Sequence, residues 1–319
     1  MVGGAGMRIL DANTAVGLPT GCVATIGFFD GVHQGHRYLI HKVQEVAKAR
    51  GARSMVVTFD NHPRQVLCQD YVPQLLSTLQ EKLMLLDATG VNDCVLLSFD
   101  RAMAACPAYD FMRDVLRDRL HVHTLVMGYD NRFGSNRNDT FEDYVRYGAA
   151  LGMEVLRAEP FYVDGLKVSS SVVRRLLQTG DMALANRCLG YVYTLSGTVE
   201  RGFHEGHALG FPTANLEGLG REQLLPKPGV YATRLLLPGE KEGRIAMTNI
   251  GDRPTYDGTM LTIETHVLDY EGDLYGATVS LSFYQRLREE CKFAGREQLR
   301  RQLEEDALRV RDYFKDLQS

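Results

Sequence analysis

Between residues 22 and 156, short and continuously apolar runs alternate with stretches of helical periodicity, and this alternation restricts the fold more than any other feature of the chain. Residues 22–26, 55–59, 94–99, 124–128 and 153–156 read as strands; residues 36–50, 80–88, 109–120 and 141–151 repeat their apolar positions at helical spacing. Strands that are apolar throughout and separated by helices imply a parallel sheet covered on both faces. Residues 181–190 read as a short connecting helix, and beyond them the pattern changes. Residues 191–200, 229–237, 244–250, 260–268 and 278–283 are strand-like and separated by Gly, Pro and Asp turns, without long helices between them. Five or six such strands predict a small antiparallel barrel. A final helix over 295–317 carries Leu299, Leu303, Ala307 and Val310 on one stripe and would pack outside that barrel. The expected fold is an α/β domain over residues 7–185 followed by an antiparallel β-barrel domain over 186–319.

The length of 319 residues accommodates two domains, and 45% hydrophobic with 24% charged residues is ordinary globular composition. A net charge of -4 supplies no basic excess, which argues against nucleic acid as a partner. The six cysteines are scattered with no C-x-x-C spacing, as reduced thiols in the cytoplasm would be. No apolar run approaches the ~18 residues of a membrane helix. Residues 1–6 lack the charged start and apolar core of a signal peptide, and read as a tail. The chain is expected to be cytoplasmic, a monomer or weak homo-oligomer, and unattached to membrane.

The first strand runs into Gly27-Phe28-Phe29-Asp30-Gly31-Val32-His33-Gln34-Gly35-His36, a strand-to-helix turn. Its glycines allow the turn and a close approach, while the N-terminal N–H groups and dipole of the following helix favour an anion there. His33 and His36, three apart, would place both imidazoles on one side, within reach of phosphate oxygens. The chain has neither G-x-G-x-x-G nor a P-loop, and His-x-x-His without a third ligand is not a zinc motif. These ten residues resemble the H-x-G-H motif of the nucleotidylyltransferase superfamily, in the longer form found in bacterial bifunctional riboflavin kinase/FAD synthetases.

Other stretches fall at strand ends, where ligands of such sheets sit. Asp60-Asn61-His62-Pro63-Arg64 follows the second strand, and Pro63 is expected to make an extended turn rather than a helix. It is similar to the family's F-x-P-H-P segment, with Asn61 in place of proline; an ordinary polar loop accounts for it equally. Gly128-Tyr129-Asp130-Asn131-Arg132-Phe133-Gly134 resembles G-x-D-F-x-F-G, with Asn131 in place of Phe. Ser169-Ser170-Ser171-Val172-Val173-Arg174 opens a helix that its serines can cap. It resembles the superfamily's phosphate-holding I-S-S-T-x-I-R motif, with Val172 where a further Arg is familiar. The resemblance implies that Gly27, Phe29, Asp30, Gly31, His62, Asp130, Arg132, Ser170 and Ser171 contact nucleotide, and that His33, His36 and Arg174 offset charge during adenylyl transfer. Phe28 is a further position whose effect the motif leaves open.

In the second half, Gly210-Phe211-Pro212-Thr213-Ala214-Asn215 is extended because Pro212 forbids a helix interior, and Thr213 and Asn215 point to one side. Two oxygen donors on one side suit magnesium, although a strand-end turn explains them too. The segment resembles the riboflavin kinase motif G-F-P-T-A-N, whose Thr and Asn hold metal and ATP phosphates. Upstream, Glu205 and His207 stand where the family carries basic residues, so either ATP binds more weakly or His207 donates in place of Arg. Strict alternation puts Ile263, Thr265 and Val267 on one strand face and Glu264 with His266 on the other, as a solvated face also would. By resemblance Glu264 is the base that deprotonates an alcohol, and Arg288 joins the binding residues. Further matches extend the resemblance over nearly the whole chain. It implies an enzyme that phosphorylates riboflavin to FMN and adenylylates FMN to FAD with ATP and Mg2+. Alternatives are a kinase whose first domain is slow or takes another nucleotide, and a flavin-binding regulator without turnover.

Overall fold

The computed structural model describes residues 6–11, 21–68, 71–136, 138–200, 210–220, 222–255 and 258–318. Its contacts divide at one point into two units, Met1–Ser170 and Ser171–Ser319.

The first unit runs β1 (Arg8–Asp11), β2 (Cys22–Ile26), a 3-10 turn (Asp30–Val32), α1 (Gln34–Ala49), β3 (Ser54–Phe59), α2 (Pro63–Leu67), α3 (Leu79–Asp87), β4 (Asp93–Leu97), α4 (Arg101–Ala105) and α5 (Ala108–Asp110). It continues as a π-wound helix (Phe111–Arg119), then β5 (Val122–Met127), α6 (Phe141–Leu151), β6 (Glu154–Arg157) and the small hairpin β7 (Tyr162–Val163) and β8 (Leu166–Lys167). Six strands pair in parallel in the order β1-β4-β3-β2-β5-β6. Period-two alternation explains why they are apolar throughout. Cys22, Ala24 and Ile26, with Met55, Val57 and Phe59, pack against Met112, Leu116 and Tyr144 on one face. Val23, Val56, Cys94 and Val126 pack against Leu39, Ile40, Val43 and Leu86 on the other. Burying each large apolar side chain contributes ~1.5–3 kcal/mol relative to exposing it, so neither face can be left uncovered.

This order also positions the site. The chain leaves β2 for α1 on one face and leaves the adjacent β5 for α6 on the other. The carboxyl ends of β2 and β5 therefore flank a topological switch point, where a crevice opens between diverging connections.

Two local expectations need correction, and one strand went unread. Pro63 does not end the chain's helical options: it begins α2, with His62 as an extended N-cap at φ -74° and ψ 126°. Proline restrains the residue before it, yet is itself pre-set for the first helical position. The helix read over 109–120 is α-wound only at its start and π-wound over Phe111–Arg119. β1 was not anticipated; it joins the sheet edge beside β4.

The second unit comprises α7 (Ser170–Thr179, entering it at Ser171), α8 (Met182–Leu189), β9 (Thr194–Glu200), β10 (Ala214–Glu217), β11 (Gly229–Leu236), β12 (Arg244–Thr255), β13 (Gly258–Val267), β14 (Thr278–Arg288) and α9 (Arg296–Gln318). The strands close as β10-β13-β12-β11-β14-β9, every pair antiparallel. α9 lays Ala307, Val310 and Phe314 on Val230, Ala232 and Met247 of the barrel wall. The intervening Tyr231, Thr233 and Thr248 therefore face the interior, where Thr233 Oγ1 donates to the Ala246 carbonyl (3.0 Å) and a hydroxyl chain links Thr233, Thr248 and Thr265 at 2.8 and 3.0 Å. α7 and α8 group with the barrel through specific bonds. Lys227 N–H donates to Leu177 O (2.9 Å), and Asn186 bridges Phe283 O (2.9 Å) and Tyr193 N–H (2.8 Å).

Candidate active sites

The turn after β2 is held by unusual backbone. Phe29 (φ 55°), Gly31 (φ 70°) and Val32 (φ 34°) all have positive φ, a region that costs non-glycine residues of order 1 kcal/mol or more and that clusters at functional sites. Asp30 fixes this shape: its Oδ1 accepts from Leu76 N–H (2.9 Å) and Ser77 N–H (3.3 Å), and Ser77 Oγ accepts from Gly31 N–H (3.1 Å). His33 is then the extended N-cap of α1, its Nδ1 accepting from His36 N–H at 3.3 Å. Because that N–H can only donate, the neutral His33 ring carries its proton on Nε2. The two imidazoles stack with centroids 3.6 Å apart and planes 17° apart, and Phe29 packs edge-on against His36 at 5.1 Å. Both rings thus lie on one side of the turn. A Cβ at Gly27 would press on the Phe29 ring at 3.1 Å, and one at Gly35 on the His33 ring and Val168 O, each at 3.2 Å, so a side chain at either needs its neighbours to give way by a few tenths of an ångström. Ser170 Oγ donates to Asp30 O (3.2 Å), tying the chain after β8 to the same turn.

The neighbouring strand ends converge on this point. His62 caps α2, accepting from Arg64 N–H at 3.1 Å, and packs against Phe28 with centroids 4.8 Å apart. Asn61 exchanges two hydrogen bonds with the Phe99 backbone, 3.0 and 3.1 Å, which a proline there could not make. Asn131, after β5, donates its amide to Ile26 O at the end of β2 and so spans the switch point. Asp130 is exposed and pairs with Lys167 at 3.1 Å; Arg132 is exposed as well. Ser171 and Arg174 lie on the first turns of α7, in the second unit. Thus His33, His36, Phe29, Asp30, Gly27, Gly31, His62 and Ser170 gather at one end of the sheet. Lys82, which sequence reasoning missed, is buried beneath them on α3, with its ammonium 4.2 Å from the Phe28 ring centroid. It reads in the sequence as a surface lysine, and no local signal marks it.

In the barrel, one cross-strand row collects the polar side chains. Asn215 of β10 pairs with Glu264 of β13, and Glu264 pairs with Asn249 of β12. Directly opposite residues share a face with Cβ atoms about 4.5–5.5 Å apart, so the two amides flank the carboxylate on the barrel's outer wall. Glu264 is exposed, Asn215 half-buried. Asn249 donates to Glu290 at 2.9 Å. A cavity of about 210 Å³ is lined by Thr213, Glu264, Asn249, Arg288, Phe211 and Leu303 among others, between the wall and α9. A second cavity of about 280 Å³ is lined by Thr213, Pro212, Thr265, Gly272, Asp273 and Tyr275 among others. Thr213 belongs to both walls.

The segment carrying Thr213 is pinned by His266, whose Nδ1 donates to Pro212 O at 2.8 Å and whose ring packs on Phe211 at 5.1 Å. Burial lowers the His266 pKa despite that bond, which keeps the ring neutral at physiological pH. Gly210 sits at φ 82°, where the chain enters this segment. Arg288 lines the first cavity, but its Nε and Nη2 donate to Asp306 on α9 at 2.6 to 3.0 Å. Asn249, Glu290 and Cys291 also line that cavity and were not singled out from sequence, because β-strand alternation gives their side but not their neighbours. His207 lies outside the described residues, as does Glu205. Among the described residues no group of three His, Cys, Asp or Glu side chains forms a metal cluster, and no helix is long and apolar enough to cross a membrane.

Comparison with known proteins matches each unit separately. Residues 17–172 match the FAD synthetase family model and residues 189–314 the riboflavin kinase model. The bifunctional riboflavin kinase/FMN adenylyltransferase of Escherichia coli K12 is 38% identical over 294 residues, 92% of this chain and 93% of that protein. That of Pseudomonas fluorescens is 36% identical over 292 residues, covering 91% and 92%. A crystal structure titled as a macrolide-efflux protein from Streptococcus pneumoniae superposes with a TM-score of 0.86 at 28% identity, covering 95% of this chain and 98% of that one. With both halves matched, in order, along relatives of almost equal span, this chain belongs to the family of bifunctional riboflavin kinase/FMN adenylyltransferases.

Proposed function

We propose that this chain makes FMN and then FAD: the barrel domain, residues 186–319, phosphorylates riboflavin with ATP, and the α/β domain, residues 7–185, transfers the adenylyl group of a second ATP to FMN. In the first reaction the terminal hydroxyl of riboflavin occupies the cavity holding Glu264 and loses its proton to that carboxylate. Its oxygen attacks the γ-phosphorus, and the bond to the ADP oxygen breaks. The ATP tail enters from the cavity lined by Gly272 and Asp273, so that phosphorus is presented across Thr213. Phe211 and Pro212 shape the approach from Gly210, and Arg288 at the end of β14 braces the flavin wall through its bonds to Asp306 of α9. His207 is assigned a donor role toward the ATP phosphates.

Mg2+ fits the donor set on the wall: Thr213 and Asn215 offer neutral hard oxygens beside the Glu264 carboxylate, and the ion would neutralise phosphate charge there. In the second reaction a phosphate oxygen of FMN attacks the α-phosphorus of ATP and pyrophosphate leaves. No side-chain nucleophile is needed, only alignment of two anions. His33 and His36 donate to phosphate oxygens over the N-terminus of α1, with Ser170 tied to the same turn, and the family resemblance gives Ser171 and Arg174 a phosphate-binding role as well. Gly27, Phe29, Asp30 and Gly31 hold the turn open to the nucleotide, with His62, Asp130 and Arg132 at its sides. Asn61 and Asn131 have their amides engaged with backbone, which supports keeping the family's nucleotide rather than invoking another. The chain acts on small molecules, in the cytoplasm, as a monomer or weak homo-oligomer.

The observation that carries this reading is Thr213 in the wall common to two cavities, with the Asn215–Glu264–Asn249 row beside it. Purified protein given riboflavin, ATP and Mg2+, with products separated by chromatography, is expected to form FMN and then FAD. Binding of flavin without turnover would overturn the proposal in favour of a regulator; FMN without FAD would overturn its second half.

A further inference from the structure

Among the described residues Lys82 is the single lysine or arginine with under a tenth of its surface exposed, at 3%. Its Nζ donates to Phe59 O at 2.7 Å and to Phe28 O at 3.3 Å. Those carbonyls stand at the ends of β3 and β2, on the two chain segments that lead to His62 and to the His33–His36 pair. The same ammonium lies 4.2 Å over the Phe28 ring, whose edge meets His62 at 4.8 Å. Three groups, from α3, the β2 turn and α2, are thereby stacked in sequence. An apolar residue of equal length would fill the space but donate to neither carbonyl, leaving Phe28 O with its bond from Thr58 Oγ1 (3.1 Å) and breaking the link between the two strand ends.

We propose that Lys82 is a positioning residue for adenylyl transfer, its ammonium clamping the ends of β2 and β3 and adding positive potential beneath the phosphate site. This rests on the reading of the α/β domain as an FMN adenylyltransferase. The titratable groups around Lys82 are Asp30 of the 3-10 turn, Asp60 after β3 and the Cys94 thiol of β4; burial outweighs the two acids, which favour the charged amine, and pushes Lys82 down to about 8. The Cys94 thiol is itself pushed up to about 12 by burial and is uncharged in the same range. The protonated amine is the clamping form, so activity is present below that value and declines as pH rises through it.

The test compares Lys82→Met, Lys82→Arg and the wild type for FAD formation from FMN and ATP across pH 6.5–10, roughly the span in which a perturbed lysine titrates, with riboflavin phosphorylation in the same preparations as internal control. Lys82→Met is expected to lose on the order of a hundredfold in kcat/KM for FAD formation, the scale of a misplaced catalytic group, with kinase activity retained. Lys82→Arg is expected to keep the alignment and shift the alkaline decline out of the measured range, an effect that a purely structural role would not produce. Lys82→Met within about threefold of wild type, or an unchanged alkaline decline in Lys82→Arg, overturns the inference. Should Lys82→Met fail to fold, the Lys82→Arg profile decides alone. A wild type that forms no FAD defeats the underlying reading instead, which separates the two failures.

Discussion

Asp306 is fully buried on α9 and accepts three hydrogen bonds from the Arg288 guanidinium of β14, the shortest 2.6 Å, and one from Gln302 at 3.2 Å. Replacing it by alanine leaves the guanidinium facing a desolvated gap. Breaking a buried pair by removing one partner costs ~3–5 kcal/mol. Arg288 keeps bonds to Glu289 O (2.9 Å) and Cys291 Sγ (3.4 Å), with its side chain 17% exposed, so the lower end, about 3 kcal/mol, applies. That energy holds α9 against the barrel, and α9 supplies Leu299 and Leu303 to the wall of the cavity containing Glu264. Asp306→Ala is therefore expected to lower the denaturant midpoint of the barrel's unfolding and to raise KM for riboflavin, with FAD formation from FMN unchanged. The double variant Arg288→Met/Asp306→Leu is expected to recover most of the stability, since apolar residues replace buried pairs at little cost, without restoring riboflavin binding. A loss under about 0.5 kcal/mol in Asp306→Ala, the range of ordinary surface changes, would refute the assignment of this pair to α9 docking.

Gly35→Ala places a methyl 3.2 Å from both the His33 ring and Val168 O, so FAD formation is expected to drop at least about tenfold with riboflavin phosphorylation unaffected, as steady-state rates on FMN and on riboflavin will show. Asp93 is buried between Arg53 and Arg8 at 2.7 and 2.6 Å; burial pushes its carboxyl up, but the two arginines outweigh that and hold it below the usual range. A lowered folded value means that its stabilisation is present above the unfolded pKa of ~3.9 and is lost as pH falls through the folded one. Asp93→Asn is expected to flatten that acid limb in urea melts and to cost about 1–2 kcal/mol at neutral pH, discounted because both arginines are partly exposed. Thr248→Val removes the middle of the buried hydroxyl chain and is expected to lower barrel stability by about 1–3 kcal/mol, read from the same melts; an unchanged midpoint would deny the chain any part in the core.

Much of this was legible because the relevant signals are periodic. The apolar runs at 22–26 and 55–59 gave buried strands, and the loss of helical spacing after residue 190 gave the barrel. The three-residue spacing of His33 and His36 placed both imidazoles on one side of the turn, where the structure stacks them, and two-residue alternation set Glu264 apart from Thr265. What escaped depends on partners distant in sequence. β1 holds only two apolar residues in four, Ile9 and Leu10, and is a strand because β4 offers it an edge. Lys82 looks like any helix-surface lysine until α3 is packed under the β2 turn. Arg288 reads as a ligand donor, and only the folded chain reveals Asp306 eighteen residues on as the acceptor for its Nε edge. Asn61 looks like a lost proline and Asn131 like a lost packing position, whereas both are backbone anchors.

The most direct test gives the wild type, Glu264→Gln and His36→Ala the same substrates, first riboflavin with ATP and Mg2+, then FMN with ATP and Mg2+, and follows FMN and FAD over time. Glu264→Gln is expected to form no FMN from riboflavin yet convert FMN to FAD at the wild-type rate, while His36→Ala accumulates FMN and stalls before FAD. Equal loss of both steps in either variant, or wild-type rates in both, would contradict two separate sites with these residues at their centres.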